Sequence, residues 1–297
     1  MNLKKYIIII FYVLLFLTIS IYVYKKKTCY FIKTEHKIDI NNEFFNVYEY
    51  ISKTNCYNKT FIILPSYSYF DATKEGYIKY EPNKDFEKLI NELTKNYNRV
   101  IVVEYFGYNN SGETSRKRNS DNICEEIHKV VEYFNLKKYI LLPHSISGLY
   151  SLDYLTKYKN EVEGFVGIDI TLPYYFLEES DSNEKYLEHK FNDDDQKISE
   201  SYKKMYNYFW ETSKKLENFK FDKNLPVILF TSTMLINYID EQIKNGSLKT
   251  KVIDYLNKMI NNKNIQNIEI LEGNHYLHHS KYKEMNNFIN KNLQINK

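Results

Sequence analysis

Cysteine and glycine are both sparse in this chain, at 3 and 8 of 297 residues. Cys29, Cys56 and Cys124 are odd in number and far apart, so no cysteine pair has the spacing of a metal module. If the folded part lies outside the cell, Cys29 and Cys56 are placed to bridge the early strands, while Cys124 falls in an amphipathic run and reads as a small core residue. Few glycines beside 30 tyrosines and abundant Lys, Asn and Ile indicate the codon bias of an AT-rich genome, so single tyrosines and lysines carry little functional weight. Positive charge is also lacking where nucleic acid would need it. The five lysines of residues 1–27 account for more than the whole formal excess of +3, and the remainder carries a net −2, which removes the electrostatic footing of a nucleic-acid binder.

What is present begins at the N-terminus. Between Lys4, Lys5 and Lys25 to Lys27 lies an uncharged run, Tyr6 to Tyr24; as a helix it would measure roughly 28 Å, close to the hydrocarbon thickness of a bilayer. Tyr6, Tyr22 and Tyr24 suit the interfacial belt. No A-x-A-like site follows the run, and Cys29 lacks the small and apolar neighbours of a lipid-attachment site, so an uncleaved single-pass anchor over 1–27 is expected rather than a cleaved signal. The flanking lysines nearly balance: counting Lys33 and Lys37 tips the positive-inside rule toward a cytoplasmic domain, whereas the very short basic N-terminus resembles an export signal, and an extracytoplasmic domain is the expectation.

Residues 28–297, with 43% hydrophobic residues in the whole chain, are enough for one large domain. Short apolar runs alternate with helical periods, the pattern of a mostly parallel sheet covered by helices. Strands are predicted at Phe31 to Ile40, Phe44 to Ile51, Thr60 to Leu64, Arg99 to Glu104, 139–142, Gly164 to Asp169, Pro226 to Thr231 and Asn267 to Leu271, the first two as a hairpin around Asn41 and Asn42. Helices are predicted at about Lys84 to Asn96, Asp121 to Phe134, after Ser145 to Lys159, Lys249 to Ile260 and Tyr282 to Leu293. Between about 172 and 224 the register changes: a charged run at Asp193 to Asp195 precedes Ile198 to Phe219, where Tyr202, Met205, Tyr206, Phe209 and Trp210 recur at helical spacing. This stretch is the expected helical lid; its aromatic stripe could line an acyl pocket, although a stripe at this spacing is more often ordinary packing against the body, and the acidic run reads as a solvated loop rather than a metal site.

The most informative segment is Tyr139 to Gly148, YILLPHSISG, an apolar strand that breaks at His144 and Ser145 and turns at once into an amphipathic helix. A sharp strand-to-helix turn pushes a hydroxyl out of the sheet edge while the new helix supplies unpaired N–H groups. Three other segments agree with it in order. Leu64, Pro65 and Ser66 follow the third strand; Glu104 to Ser111 keeps Gly107 and Ser111 of a D-x-x-G-x-G-x-S loop; and Glu272 to His275 follows the last strand. Together these make the chain resemble the α/β-hydrolase superfamily from about residue 30 to the C-terminus. Its departures are Pro143 and Ser147 in place of the two elbow glycines, and Ser66 where a glycine usually follows the third strand.

The resemblance implies an α/β-hydrolase fold with a lid insertion and a serine hydrolase acting on carboxylic esters, less readily amides, through an acyl-Ser145 intermediate. His275 is the base, since a serine hydroxyl is a poor nucleophile until its proton is taken. His278 and His279 compete by proximity but read as surface residues, and His144 as a support of the turn. For the acid, the usual position after the strand Pro226 to Thr231 holds no carboxylate. Asp169, where a lipase branch carries its acid, preserves the order Ser145, Asp169, His275; Asp240, Glu241 or a serine-histidine dyad stay open. The oxyanion hole is expected from the backbone N–H of Ile146 with that of Ser66 or Tyr67. The partners implied are a small acyl ester and, through residues 1–27, the membrane; no metal or organic cofactor is required. The alternative is an inactive α/β-hydrolase-like binding or scaffold protein at the membrane, and acyl transfer to another acceptor shares the first half-reaction.

Overall fold

The computed structural model describes residues 12, 31–52, 57–66, 72–73, 76–77, 80–96, 98–179, 200–260 and 266–293. Two adjacent asparagines close the first hairpin. Strands β1 (Phe31–Ile40) and β2 (Glu43–Ser52) pair antiparallel across Asn41 and Asn42, whose φ values of 56° and 65° match a two-residue turn with positive φ at both positions. Asparagine tolerates that region better than most residues because its short amide bonds locally. Strand β3 (Thr60–Leu64) follows, then a small pair, β4 (Ala72–Thr73) with β5 (Gly76–Tyr77), then β6 (Arg99–Glu104), β7 (Tyr139–Pro143), β8 (Val162–Ile168), β9 (Val227–Ser232) and β10 (Gln266–Leu271).

Eight of these form one sheet in the order β1-β2-β6-β3-β7-β8-β9-β10. β2 runs antiparallel to both neighbours; every other pairing is parallel. A parallel sheet needs helices on both faces, and the central strands show it: all residues of β3, β6 and β7 are buried. Ile62, Leu64, Ile101, Val103 and Leu141 join one core cluster, whereas Phe61, Ile63, Val100, Val102, Ile140 and Leu142 join another. Leu89, Ile90 and Leu93 of a helix at Glu87–Lys95 cover the second cluster with Met285 and Ile289 of Tyr282–Asn292. The first is covered by Ser120–Tyr133, which contributes Ile123, Cys124 and Ile127, and by Ser147–Tyr158, which contributes Leu149 and Leu152. This is the α/β-hydrolase fold.

Three features depart from expectation or extend it. Thr233–Lys244 is a helix where no element was predicted; its stripe is thin, with Ile239 buried but Met234 and Tyr238 exposed. His278, expected at the surface, is fully buried, whereas His279 is exposed. In the lid region, helices span Pro173–Glu179, Glu200–Tyr206 and Phe209–Lys215, and Met205 and Phe209 of the aromatic stripe join the main core. The acidic run Asp193 to Asp195 lies outside the described residues, as do Cys29 and Cys56. The anchor expected over 1–27 also lies outside them, Tyr12 excepted; among the described residues no helix is long and apolar enough to cross a membrane.

Candidate active site

The strand-to-helix turn after β7 carries backbone strain at one residue. Ser145 has φ of 54°, a left-handed conformation that costs an ordinary L-residue about 1–2 kcal/mol and persists where its surroundings hold it. Here they do. The Ser145 N–H donates to the Ile168 carbonyl at 3.1 Å, and its own carbonyl accepts from Gly148 at 2.9 Å and Thr171 at 2.8 Å. Both flanks of Asp169 are thereby bonded to the backbone of Ser145. The missing elbow glycines are compensated locally. Ser147 is buried, with its hydroxyl donating to the Pro65 carbonyl and 3.1 Å from the Tyr105 hydroxyl. Gly148 makes the close approach, since a Cβ there would fall 2.6 Å from Ile170 Cβ.

Asp169 directly follows β8 with φ of 41°, and its N–H bonds the Phe230 carbonyl at 2.8 Å. Its buried carboxylate takes three donors: the Ser232 N–H on Oδ1 at 2.7 Å, the Ser232 hydroxyl on Oδ2 at 2.5 Å, and His275 Nδ1, 3.3 Å from Oδ2. Neutral His275 therefore carries its proton on Nδ1 and leaves Nε2 to accept. Ser232, the last residue of β9, occupies the position after the predicted strand Pro226 to Thr231 that holds no carboxylate. Its hydroxyl also accepts the Leu235 N–H and caps Thr233–Lys244. Asp240 and Glu241 lie on that helix and form neither a hydrogen bond nor an ion pair with His275.

His275 sits in the loop after β10, its side chain one-quarter exposed. Contacts from Thr233, Met234 and His144 hold this loop. The Met234 N–H donates to the Gly273 carbonyl at 3.2 Å, and His144 Nε2 donates to the His275 carbonyl at 3.0 Å. Burial drives the His144 pKa well below its ordinary value, assisted by the nearby rings of His275 and His278, so it is a neutral support. Asp169 and His275 are thus in direct contact, and the Ser145 backbone bonds Ile168 and Thr171 on either side of Asp169. No hydrogen bond links the Ser145 hydroxyl to the His275 ring, and that hydroxyl has no partner among the described residues. Catalytic hydrogen bonds are often long or misaligned before substrate arrives.

The N–H groups of Ile146 and Ser66 likewise donate to nothing among the described residues, while Tyr108 steadies the Ser66 carbonyl at 3.0 Å. Tyr67 lies outside the described residues. Beside the Asp169–His275 pair opens a cavity of about 220 Å³, walled by apolar side chains including Ile170, Leu172, Phe176, Leu235 and Ile239. Ser232 and the His144 tie were not anticipated from sequence: a serine after a strand and a histidine before a turn have many ordinary uses, and only their contacts single them out.

A family model described as alpha/beta hydrolase fold matches residues 76–267. The chain is 31% identical over 97 residues to the uncharacterized protein YbdG of Bacillus subtilis (strain 168), a match spanning 32% of this chain and 30% of that protein's length. Among solved structures it resembles the epoxide hydrolase CorEH, with TM-score 0.60, 11% identity and coverage of 89% of this chain and 99% of that one. It also resembles a structure from a study of carboxylesterases of the thaumarchaeon Nitrososphaera gargenis, with TM-score 0.56, 12% identity and coverage of 88% and 98%.

Proposed function

The chain belongs to the alpha/beta hydrolase fold family, and from that premise we propose that it is a serine hydrolase that cleaves carboxylic esters, and amides less readily. The observation that carries this reading is the contact of His275 with a buried, triply bonded Asp169, beside a serine held at positive φ on the same sheet edge.

The step follows from the proton inventory. His275 Nε2 takes the Ser145 hydroxyl proton as Oγ attacks the ester carbonyl. In this reading the N–H groups of Ile146 and Ser66, which donate to nothing among the described residues, stabilise the developing oxyanion. Collapse breaks the carbon–oxygen bond of the leaving alcohol, which receives the proton from Nε2; water then repeats the sequence on the acyl-enzyme. Asp169 keeps the proton of His275 on Nδ1 and stabilises the transient imidazolium. The apolar cavity beside the pair favours a hydrophobic acyl or alcohol group over a charged one. We further propose that residues 1–27 anchor the domain in a membrane, with the domain on the extracytoplasmic side.

The missing Ser145–His275 hydrogen bond is the one observation that favours an inactive scaffold, and a single experiment divides the two readings. The full chain is treated with a fluorophosphonate probe and the adduct is located by mass spectrometry. Labelling at Ser145 that disappears in Ser145→Ala and His275→Ala is expected. A folded protein that takes no label would sink the enzymatic reading.

A further inference from the structure

A short helix, Leu277–Ser280, begins two residues after His275 and turns two imidazoles toward one carboxylate distant in sequence. His278 Nε2 lies 3.1 Å from Asp85 Oδ2, and His279 Nε2 lies 2.6 Å from Asp85 Oδ1. The three ligand-capable atoms, one from each residue, all lie within 4.8 Å of one another. None of them takes part in the Asp169–His275 contact.

The surroundings give each group a fixed direction. His278 is fully buried and stacks on Phe86, with ring centroids 4.1 Å apart and planes 7° from parallel. Its Nδ1 is buried with no hydrogen-bond partner among the described residues, so Nε2 is the nitrogen that meets Asp85. The Tyr80 hydroxyl donates to Asp85 Oδ2 at 2.9 Å, the kind of outer contact that orients a ligating carboxylate. Lys88 Nζ holds the His279 carbonyl at 3.0 Å. The His279 side chain is 47% exposed, which opens the cluster to solvent on one side and leaves a direction for water as a fourth ligand.

We propose that Asp85, His278 and His279 bind a divalent transition-metal ion of the zinc class through one carboxylate oxygen and two imidazole nitrogens. Imidazole donors suit zinc, whereas calcium and magnesium take shells of oxygen. Metal–ligand lengths of about 2.0–2.2 Å require shifts of under about 1 Å from the observed positions, the Asp85–His279 pair opening and the widest pair closing. The ion would staple the Pro82–Asp85 helix to the segment just after His275, across sequence separations of 193 and 194 residues. Its role is to hold that segment in place; it enters no hydrolytic step and does not depend on Ser145 being active.

The test is calorimetric titration of Zn²⁺ into the metal-stripped full chain, with Mg²⁺ as the control, and the visible spectrum of the Co²⁺-loaded protein. One Zn²⁺ per chain is expected, with no Mg²⁺ uptake, and Co²⁺ should give d–d bands without a thiolate charge-transfer band. His279→Gln alters an exposed side chain and should keep the wild-type circular dichroism. It is expected to weaken Zn²⁺ by more than about a hundredfold, because losing even an outer-shell partner costs about 10–100-fold. Asp85→Asn should do the same. Absence of stoichiometric Zn²⁺ uptake, unchanged affinity in His279→Gln, or a thiolate band would each overturn the assignment.

Discussion

Replacing Asp169 by asparagine changes one oxygen to an amide nitrogen, and the hydrogen bonds at that site determine which one. Oδ1 receives the Ser232 N–H at 2.7 Å, a donor fixed in the backbone, so the side-chain oxygen of asparagine must stay there. Its NH₂ then occupies the place of Oδ2, facing the Ser232 hydroxyl and His275 Nδ1. The hydroxyl can rotate to accept. The imidazole accommodates the new donor by baring Nδ1 and carrying its proton on Nε2, the nitrogen that has to receive the Ser145 proton. Loss of the correct tautomer with geometry retained costs a serine hydrolase about 10⁴-fold in turnover, or about 5 kcal/mol of transition-state stabilisation. The assay is turnover of a short p-nitrophenyl ester by Asp169→Asn, with thermal melting followed in parallel to separate lost chemistry from lost structure. A folded Asp169→Asn protein within tenfold of wild type would refute the reasoning, as would the same loss appearing instead in Asp240→Asn.

Ser232→Ala removes a hydroxyl that donates to Asp169 Oδ2 and caps Thr233–Lys244. The cap contributes about 1 kcal/mol and the charge-assisted bond about 1.5–3 kcal/mol, so the melting temperature should drop by about 5 °C or more; turnover should fall less than in Asp169→Asn because the backbone donor remains, and an unchanged melting curve would contradict the observed bonds. Gly148→Ala places a Cβ 2.6 Å from Ile170 Cβ and 3.2 Å from the Thr171 carbonyl, an overpacking expected to cost about 1–3 kcal/mol in urea unfolding. Wild-type stability in that variant would show that the turn yields more easily than its contacts suggest. Glu104 is fully buried, and burial outweighs the hydrogen bonds from Asn109, Asn110 and Asn46 to push its pKa up to about 7. The folded protein therefore holds this proton more tightly than the unfolded chain, and stability falls as pH rises from the unfolded carboxylate pKa of about 4.3 to about 7, by about 4 kcal/mol in all. Glu104→Gln should flatten that slope, and urea midpoints of both proteins at pH 5 and pH 8 would expose an error if the two run in parallel.

The architecture is largely legible in the sequence because it is written in local periodicity. Thr60–Leu64 and Arg99–Glu104 could be bounded from apolar runs because a strand covered on both faces has no polar side to interrupt it. The amphipathic stripe of Ser120–Tyr133 was visible for a similar reason: one of its faces packs on the sheet and the other meets water. Thr233–Lys244 escaped notice because only Ile239 on it is fully buried, which leaves too little contrast between faces for a period to register. The turn at Ser145 was readable as a break in pattern, but its positive φ and the bonds that hold it were not.

By itself, then, the sequence determined most of the strands and helices and the order in which they follow, since those properties depend on neighbours a few residues away. Which carboxylate meets His275, that Ser232 serves that carboxylate, and that Asp85 gathers His278 and His279 were decided only by the tertiary structure. Such meetings join residues 63 to 194 positions apart. They depend on how sheet order and loop paths bring remote side chains to one edge, and a one-dimensional pattern of apolar and polar residues carries no measure of distance through space.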